Sequence, residues 1–456
     1  MAWNEQVAKR DYMPTEERRA LQFERLQATV HRVYEHVPFY HKALNDQDIE
    51  PTAVRSLDDL TRLPFTTRHD LLDNYPLGLL AVPREQVIRI HASSGTKGKP
   101  KIVAYTRNDI DIWGEVVARA LVCAGVHPGE VVHNAYGYGL FTGGLGVHYG
   151  CEYLGATVVP ISSGNTQRQI MLLHDLQATT LTCTPSYALT IAETLTNMGL
   201  GPDDLCLKRG IFGAEPWTEG LRSQVEKGLG IQALDIYGLS EVMGPGVAME
   251  CAEEGQISEG GTRTLHVFED HFLPEIVDPD TGEPLPYGQE GELVFTGITK
   301  EALPLLRYRT GDLCTLIPDR CVCGRTLVRM SQIKARVDDM LIIRGVNVFP
   351  SEIERVLLGI FELAPYYQVI LDYKLTLDEA TVETEVTREF QEQLGGAVLT
   401  SDADGWTAHE QVMGLQHKIG TALYEALGLR LNVRVSSPGT LPRSEGKAVH
   451  VVDRRR

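Results

Sequence analysis

Several stretches of this sequence carry residue types whose spacing suits phosphate and carboxyl chemistry. The first is Ser93-Ser94-Gly95-Thr96-Lys97-Gly98-Lys99. Its glycines let backbone N–H groups turn toward an anion, and its hydroxyls and lysines complete a phosphate cradle. It is not a G-x-x-x-x-G-K-[ST] loop, because no Ser or Thr follows a Gly-Lys pair. A solvated Ser/Gly turn would have the same composition. In the second, Gly213-Ala214-Glu215-Pro216, small residues would let the backbone approach a flat ring. Asp235-Ile-Tyr237-Gly238-Leu-Ser240-Glu241 groups an aromatic, a hydroxyl and a carboxylate. That set suits stacking a base and holding Mg²⁺ beside phosphates, although a solvated loop carboxylate reads alike. Asp312, in Tyr308-Arg-Thr-Gly-Asp312, could accept two ribose hydroxyls or simply close a turn. Lys447 follows Gly446 in a near-terminal loop, and most lysines are solvated.

A further segment, from Tyr136 to Gly146, mixes glycines with Tyr136, Tyr138 and Phe141. Its rings would wall a flat aromatic ligand, or pack against their own loop. The eight cysteines mostly stand singly in apolar surroundings, as reduced core thiols rather than a disulfide framework. Cys321-Val-Cys323 is the exception. With Cys251 and His266 it could close a tetrahedral zinc site, the ligand types being right for zinc. The spacing is not that of the common zinc fingers. His271 competes with His266, and reduced turn thiols beside a surface hairpin are the alternative.

These groups need elements that bring them together. Apolar runs at Val131–Asn134, Ala156–Ile161, Thr180–Thr184 and Gly210–Phe212 alternate with helical stretches. That rhythm predicts an α/β fold with a mostly parallel sheet, whose ligands sit beyond the carboxyl ends of the strands. Val87–Ile90 reads as a strand before the phosphate loop. Thr106 with Asp109 reads as a capping box opening a helix with a stripe of Ile110, Trp113, Val117 and Leu121. A helix over Glu16–Val37, and one capped by Thr66 or Thr67, precede them. Hairpins are predicted from Glu269 to Phe295. A boundary near Lys334–Asp338 divides residues 1–335 from a smaller α+β domain, 336–456. There, strands are predicted at Met340–Ile343, Gln368–Leu371, Ala380–Val386 and Leu431–Val435. Helices begin at Pro350 and span Glu410–Leu427. The net charge of −18 argues against nonspecific binding to nucleic acid or acidic membranes. No uncharged apolar run is long enough to span a bilayer, so a cytoplasmic protein is expected. Exposed apolar hairpins would permit a homodimer.

In this order, with Arg336-Val-Asp338-Asp339 between the last two, the motifs resemble those of the adenylate-forming superfamily of acyl-CoA synthetases, luciferases and peptide-synthetase adenylation domains. More narrowly, the chain resembles the phenylacetate–CoA ligase family. That likeness rests on Ala135–Gly144, Gly213–Trp217, Thr299-Lys-Glu-Ala302 and Asp338–Pro350. It implies that Ser93 to Lys99 hold the phosphates of ATP and that Glu241 binds Mg²⁺. Tyr237 would stack on adenine, with Asp235, Gly238, Ser240, Gly213, Ala214, Glu215 and Pro216 beside the nucleotide. Asp312 would bind ribose, with Arg336 near it. Tyr136, Phe141, Gly143, Ala214 and Pro245 would border the aryl group. Asp338 is the implied hinge and Lys447 the lysine that acts in adenylation. Gly345 would border the pantetheine arm of CoA. Similar Cys/His clusters occur in part of the family. Lys97 stands where threonine is usual, and Ala335 where the hinge motif usually has glycine. A CoA ligase for another aromatic acid, such as indoleacetate or a substituted benzoate, would carry the same motifs. So would a nucleotidyltransferase that adenylylates a deazaflavin.

Overall fold

The phosphate-loop sequence hangs from an antiparallel hairpin of β1 (Arg89–Ala92) and β2 (Ile102–Tyr105), with Ile90 opposite Ala104. The first strand starts later than the apolar run suggests because its register follows β2; Ile88 and Ile90 are exposed. The coordinates are a computed structural model describing residues 9–93, 99–253, 263–344, 346–374, 377–394, 401–402, 405–406, 410–444 and 446–455. Ser94, Gly95, Thr96, Lys97, Gly98 and Gly345 lie outside the described residues.

Thr106 caps the Arg107–Cys123 helix as the sequence suggests. Its Oγ1 accepts the Asp109 N–H at 3.1 Å, and Asp109 accepts the Thr106 N–H at 2.8 Å. Asp109 also accepts the N–H groups of Glu301 and Ala302, at 2.6 and 3.0 Å. A distant segment is thereby fixed to the same helix start. The stripe Ile110, Trp113, Val117 and Leu121 is buried. Upstream, the Thr15–His36 helix forms, and Thr67 rather than Thr66 caps Arg68–Asp73.

The four predicted parallel strands form as β3 (Val131–Asn134), β4 (Thr157–Val159), β5 (Thr180–Cys183) and β6 (Arg209–Gly213), and β7 (Gln232–Leu239) joins them. They lie in the order β4-β3-β5-β6-β7, all parallel. Strand addition reverses between β3 and β5. Ligand crevices open at such a switch point, outside the carboxyl ends of the strands. The same sheet continues through β8 (Gly244–Glu250), β9 (Thr264–Val267), β10 (Phe272–Val277), β11 (Glu290–Gly297), β12 (Tyr308–Ile317), β13 (Arg329–Ser331) and β14 (Ala335–Arg336), giving twelve strands. β12 alternates buried and half-buried residues along its length.

A separate core, including Ile343, Ile353, Val369, Val382, Ile419 and Val435, belongs to the C-terminal part. Its sheet runs Asn432–Ser436, Leu377–Val386, Leu363–Lys374, Val451–Asp453. The helices Pro350–Leu358 and Glu410–Leu427 pack against it. Ala335 pairs with Leu313 in extended backbone, so this arrangement makes no use of glycine's wider freedom. Among the described residues no helix is long and apolar enough to cross a membrane.

Candidate active site

The segments at the carboxyl ends of β3, β5, β6 and β7 are tied to one another by hydrogen bonds. At the β3 end, the Asn134 amide donates to Gly144 O and Tyr138 OH, both at 2.8 Å, and its Oδ1 accepts from Thr182 at 2.9 Å. This knits the Gly/aromatic loop to β5. A Cβ at Gly143 would lie 2.7 Å from the Phe141 ring and 3.4 Å from the Tyr136 ring. Only glycine fits between them without a shift. Pro245 stands across from this loop: a Cβ on Gly146 would meet it at 2.6 Å, and its carbonyl accepts from Trp113 Nε1 at 3.1 Å.

At the β6 end, a Cβ on Gly213 would lie 2.1 Å from Ile236 O, and Ala214 holds φ +73°. A non-glycine residue at positive φ costs energy and often marks a functional turn. Glu215 turns its carboxylate toward the C-terminal domain. One oxygen accepts the Ser186 N–H at 2.8 Å and the other the Ala448 N–H at 2.9 Å. Pro216 is exposed.

The β7 end carries the acidic groups. Tyr237 OH donates to Asp312 at 2.6 Å, and Arg336 Nη1 donates to the other Asp312 oxygen at 2.6 Å. Burial raises the pKa of Asp312, with Arg336 opposing. Gly238 closes on Gly244, where a Cβ would meet a carbonyl at 2.0 Å. Ser240 bonds Thr142 at 2.9 Å, tying β7 to the aromatic loop. Glu241 is 4% exposed, pairs with Lys101, and accepts from Tyr308 OH at 3.3 Å. Burial would push its carboxyl up, but Lys101, the Glu241 backbone N–H and Arg336 together outweigh it and the pKa is lowered. Lys300 is buried against the Glu241 carbonyl at 3.4 Å and lies 4.5 Å over the Tyr105 ring. Burial brings its pKa down to about 8, against Asp109 and Glu241. Asp235 instead lies in the surroundings of Arg222 and Glu250; burial lifts its carboxyl to about 7.

Lys447 arrives from the other domain. Its Nζ lies 5.8 Å from the centre of the Phe141 ring. The side chain stays open to solvent. Even so, surrounding protein lowers its pKa, Arg336 adding to the effect while Glu215, Glu241 and Asp312 oppose it. Of the phosphate loop's described ends, Ser93 pairs with Lys101 through its N–H at 3.0 Å, and Lys99 stands 5.1 Å over Tyr75. Asp338 is exposed beside Arg336 and Arg68, at 3.2 and 3.5 Å.

Cys251, His266, Cys321 and Cys323 come together as expected, their donor atoms all within 4.8 Å of one another. The Cys251 and Cys321 sulfurs are 3.6 Å apart, and Cys323 Sγ is 3.4 Å from His266 Nε2. Those separations approach the edges of a tetrahedron of about 3.5–3.8 Å around zinc. His271 is engaged elsewhere, with Thr299 at 2.9 Å and Asp270 at 3.2 Å, which leaves His266 as the nitrogen donor.

Residues 12–299 match the family model described as AMP-binding enzyme, and residues 345–455 match AMP-binding enzyme C-terminal domain. The chain is 53% identical to a phenylacetate-coenzyme A ligase of Thermus thermophilus, over 97% of this chain and 98% of that one. It belongs to the phenylacetate–CoA ligase family of adenylate-forming enzymes. As a member of that family it is an ATP-dependent, AMP-forming acid–thiol ligase. Among solved structures, 2-hydroxyisobutyryl-CoA ligase in its postadenylation state superposes with a TM-score of 0.87 at 25% identity, covering 98% of this chain and 92% of that one. The same ligase in its thioesterification state gives 0.69 at 27% identity, with the same coverage. The domain arrangement here therefore resembles that ligase's postadenylation state more than its thioesterification state.

Sequence reasoning did not single out Lys101 or Lys300, although both close on Glu241. Lys101 sits one residue beyond Pro100, which ends the loop by pattern. Lys300 lies within Thr299–Ala302, but its burial goes with Asp109 fixing the neighbouring backbone. The role of the Glu215 carboxylate as a tie to the C-terminal loop had no sequence signal, since its partners are backbone N–H groups far along the chain.

Proposed function

We propose that the ligase joins phenylacetate to CoA, with Phe141, Tyr136, Gly143, Ala214 and Pro245 bordering the aryl ring. The observation that carries this is Lys447 Nζ standing 5.8 Å from the centre of the Phe141 ring, within electrostatic reach of Glu215, Glu241 and Asp312. In the first step a carboxylate oxygen bonds to the α-phosphorus of ATP and the bond to pyrophosphate breaks. Lys447 spans the carboxylate and α-phosphate, adding positive charge where negative charge develops. Asp312 holds the ribose, Tyr237 stacks on adenine, and Ser93 to Lys99 with Lys101 cradle the phosphates. Glu241, a buried carboxylate kept ionised, fits a hard cation; Mg²⁺ bound there would neutralise the departing pyrophosphate. In the second step the CoA thiolate attacks the acyl carbon and AMP leaves. The domain 336–456 turns against 1–335 near Asp338 between the steps, bringing Gly345 to the pantetheine arm.

Incubation with phenylacetate, ATP and CoA should give AMP, pyrophosphate and phenylacetyl-CoA. Pyrophosphate without a thioester when CoA is supplied would reject a CoA ligase. The three-sulfur, one-nitrogen cluster supports a structural zinc that clips the β12–β13 loop to β8 and β9. Protein purified without a metal-affinity tag should hold close to one zinc, and Cys321→Ser should lose it. Less than about half an equivalent in the parent protein would count against the site. A cytoplasmic location fits the reaction, since ATP and CoA are both found there.

A further inference from the structure

The C-terminal domain is fastened to the body at a second place, away from the reacting groups. Glu193 lies on the Pro185–Asn197 helix of the body. Two donors from the other domain converge on one of its oxygens: Arg443 Nε at 3.0 Å and Tyr366 OH at 2.8 Å. Arg443 Nη2 reaches the second oxygen at 3.4 Å. The guanidinium carbon lies 3.4 Å over the Tyr366 ring. Its remaining edge is held by Glu385, a fully buried carboxylate of its own domain, at 3.0 and 2.9 Å.

Arg443 is therefore aligned by Glu385 before docking and needs little reordering to engage Glu193. Rigid, charge-assisted bonds of this kind are roughly twice as strong as neutral ones. The segment that follows leads directly to Lys447. It is steadied by Thr190 Oγ1 on Ser444 O at 3.3 Å and Thr184 Oγ1 on Gly446 O at 2.9 Å. Both of those are neutral contacts to backbone. When the domains part, Arg443 keeps Glu385, so release leaves no buried charge alone.

We propose that Glu193 is a positioning residue for acyl-adenylate formation: it receives Arg443 and Tyr366 on docking, sets Lys447 at the site, and lets go before CoA attacks. The proposal rests on the role given to Lys447 above. Its mark is an unequal effect on the two half-reactions, which a purely structural residue would not produce.

Glu193→Ala should slow phenylacetate-dependent ATP–pyrophosphate exchange about tenfold, the scale of losing charged hydrogen bonds in a partly exposed place. Thioester formation from supplied phenylacetyl-AMP and CoA should be unchanged or faster, which also reports that the protein is folded. Tyr366→Phe, which removes one donor, should move the same way by a smaller factor, and it carries the test should Glu193→Ala not fold. Parallel loss in both half-reactions, or full exchange activity in both variants, would overturn the proposal. Lys447→Ala, run beside them, separates the two ideas: intact exchange in that variant would sink the lysine's role instead.

Discussion

In the role proposed for it, the ammonium of Lys447 would serve adenylation only while protonated. Desolvation by the protein around its ammonium lowers its pKa, Arg336 adds to this, and Glu215, Glu241 and Asp312 oppose them. A lowered pKa means the charged form is lost at lower pH than for a free lysine at 10.5. Exchange activity should therefore fall on the alkaline side through a midpoint below 10.5, and a profile flat beyond that value would contradict the charge requirement. Lys447→Ala should reduce acyl-AMP formation by roughly 100- to 1000-fold, the scale of removing one transition-state donor. Transfer from supplied acyl-AMP should survive better; equal loss in both would count against this assignment. The roles of Lys447 and Glu241 were legible in the sequence only through the family resemblance of their motifs, since a lone loop lysine or carboxylate carries no role by its type. Those of Lys101, Lys300 and the Glu215 carboxylate were not, because their importance lies in distant partners.

At the level of elements, close approach decides what can be changed. The Gly143–Leu154 helix crosses the Arg107–Cys123 helix so tightly that a Cβ on Gly150 would lie 2.3 Å from Val117 Cγ1. Val117 is fully buried and its backbone is nearly as close, at 3.1 Å. Gly150→Ala should therefore destabilise the body by about 1–3 kcal/mol, as overpacking does. Urea unfolding should show a lower midpoint with an unchanged slope; an unaltered midpoint would mean that the helices separate freely. The Arg107–Cys123 and Glu410–Leu427 helices were legible because a cap or a repeated apolar stripe is local information. The joining of β8 to β14 onto the parallel strands was not. Their pairings are long-range, with register shifts at Tyr237/Gly238 and Glu292/Val294. Leu363–Lys374 is longer than its apolar run because a strand continues wherever its neighbour supplies hydrogen bonds.

For the whole molecule, the proposed mechanism uses two arrangements of one chain, and the connection between the domains would have to allow both. The crossing runs through Arg336, extended at φ −114° and ψ 139°, into a short 3₁₀ turn over Val337–Asp339. Such a turn has φ near −50 to −70°. Proline fits its first position, and the residue before a proline prefers the extended backbone that Arg336 already has. Val337→Pro should therefore be tolerated in the docked state while stiffening the path out of it. Acyl-AMP formation should stay within about threefold of the parent, since docking is preserved. Thioester formation should fall about tenfold or more, as expected when a hinge limits turnover. This is the opposite asymmetry to Glu193→Ala, because one change favours the docked state and the other weakens it. Should both half-reactions be untouched by the proline, rotation must pass through other residues than this turn.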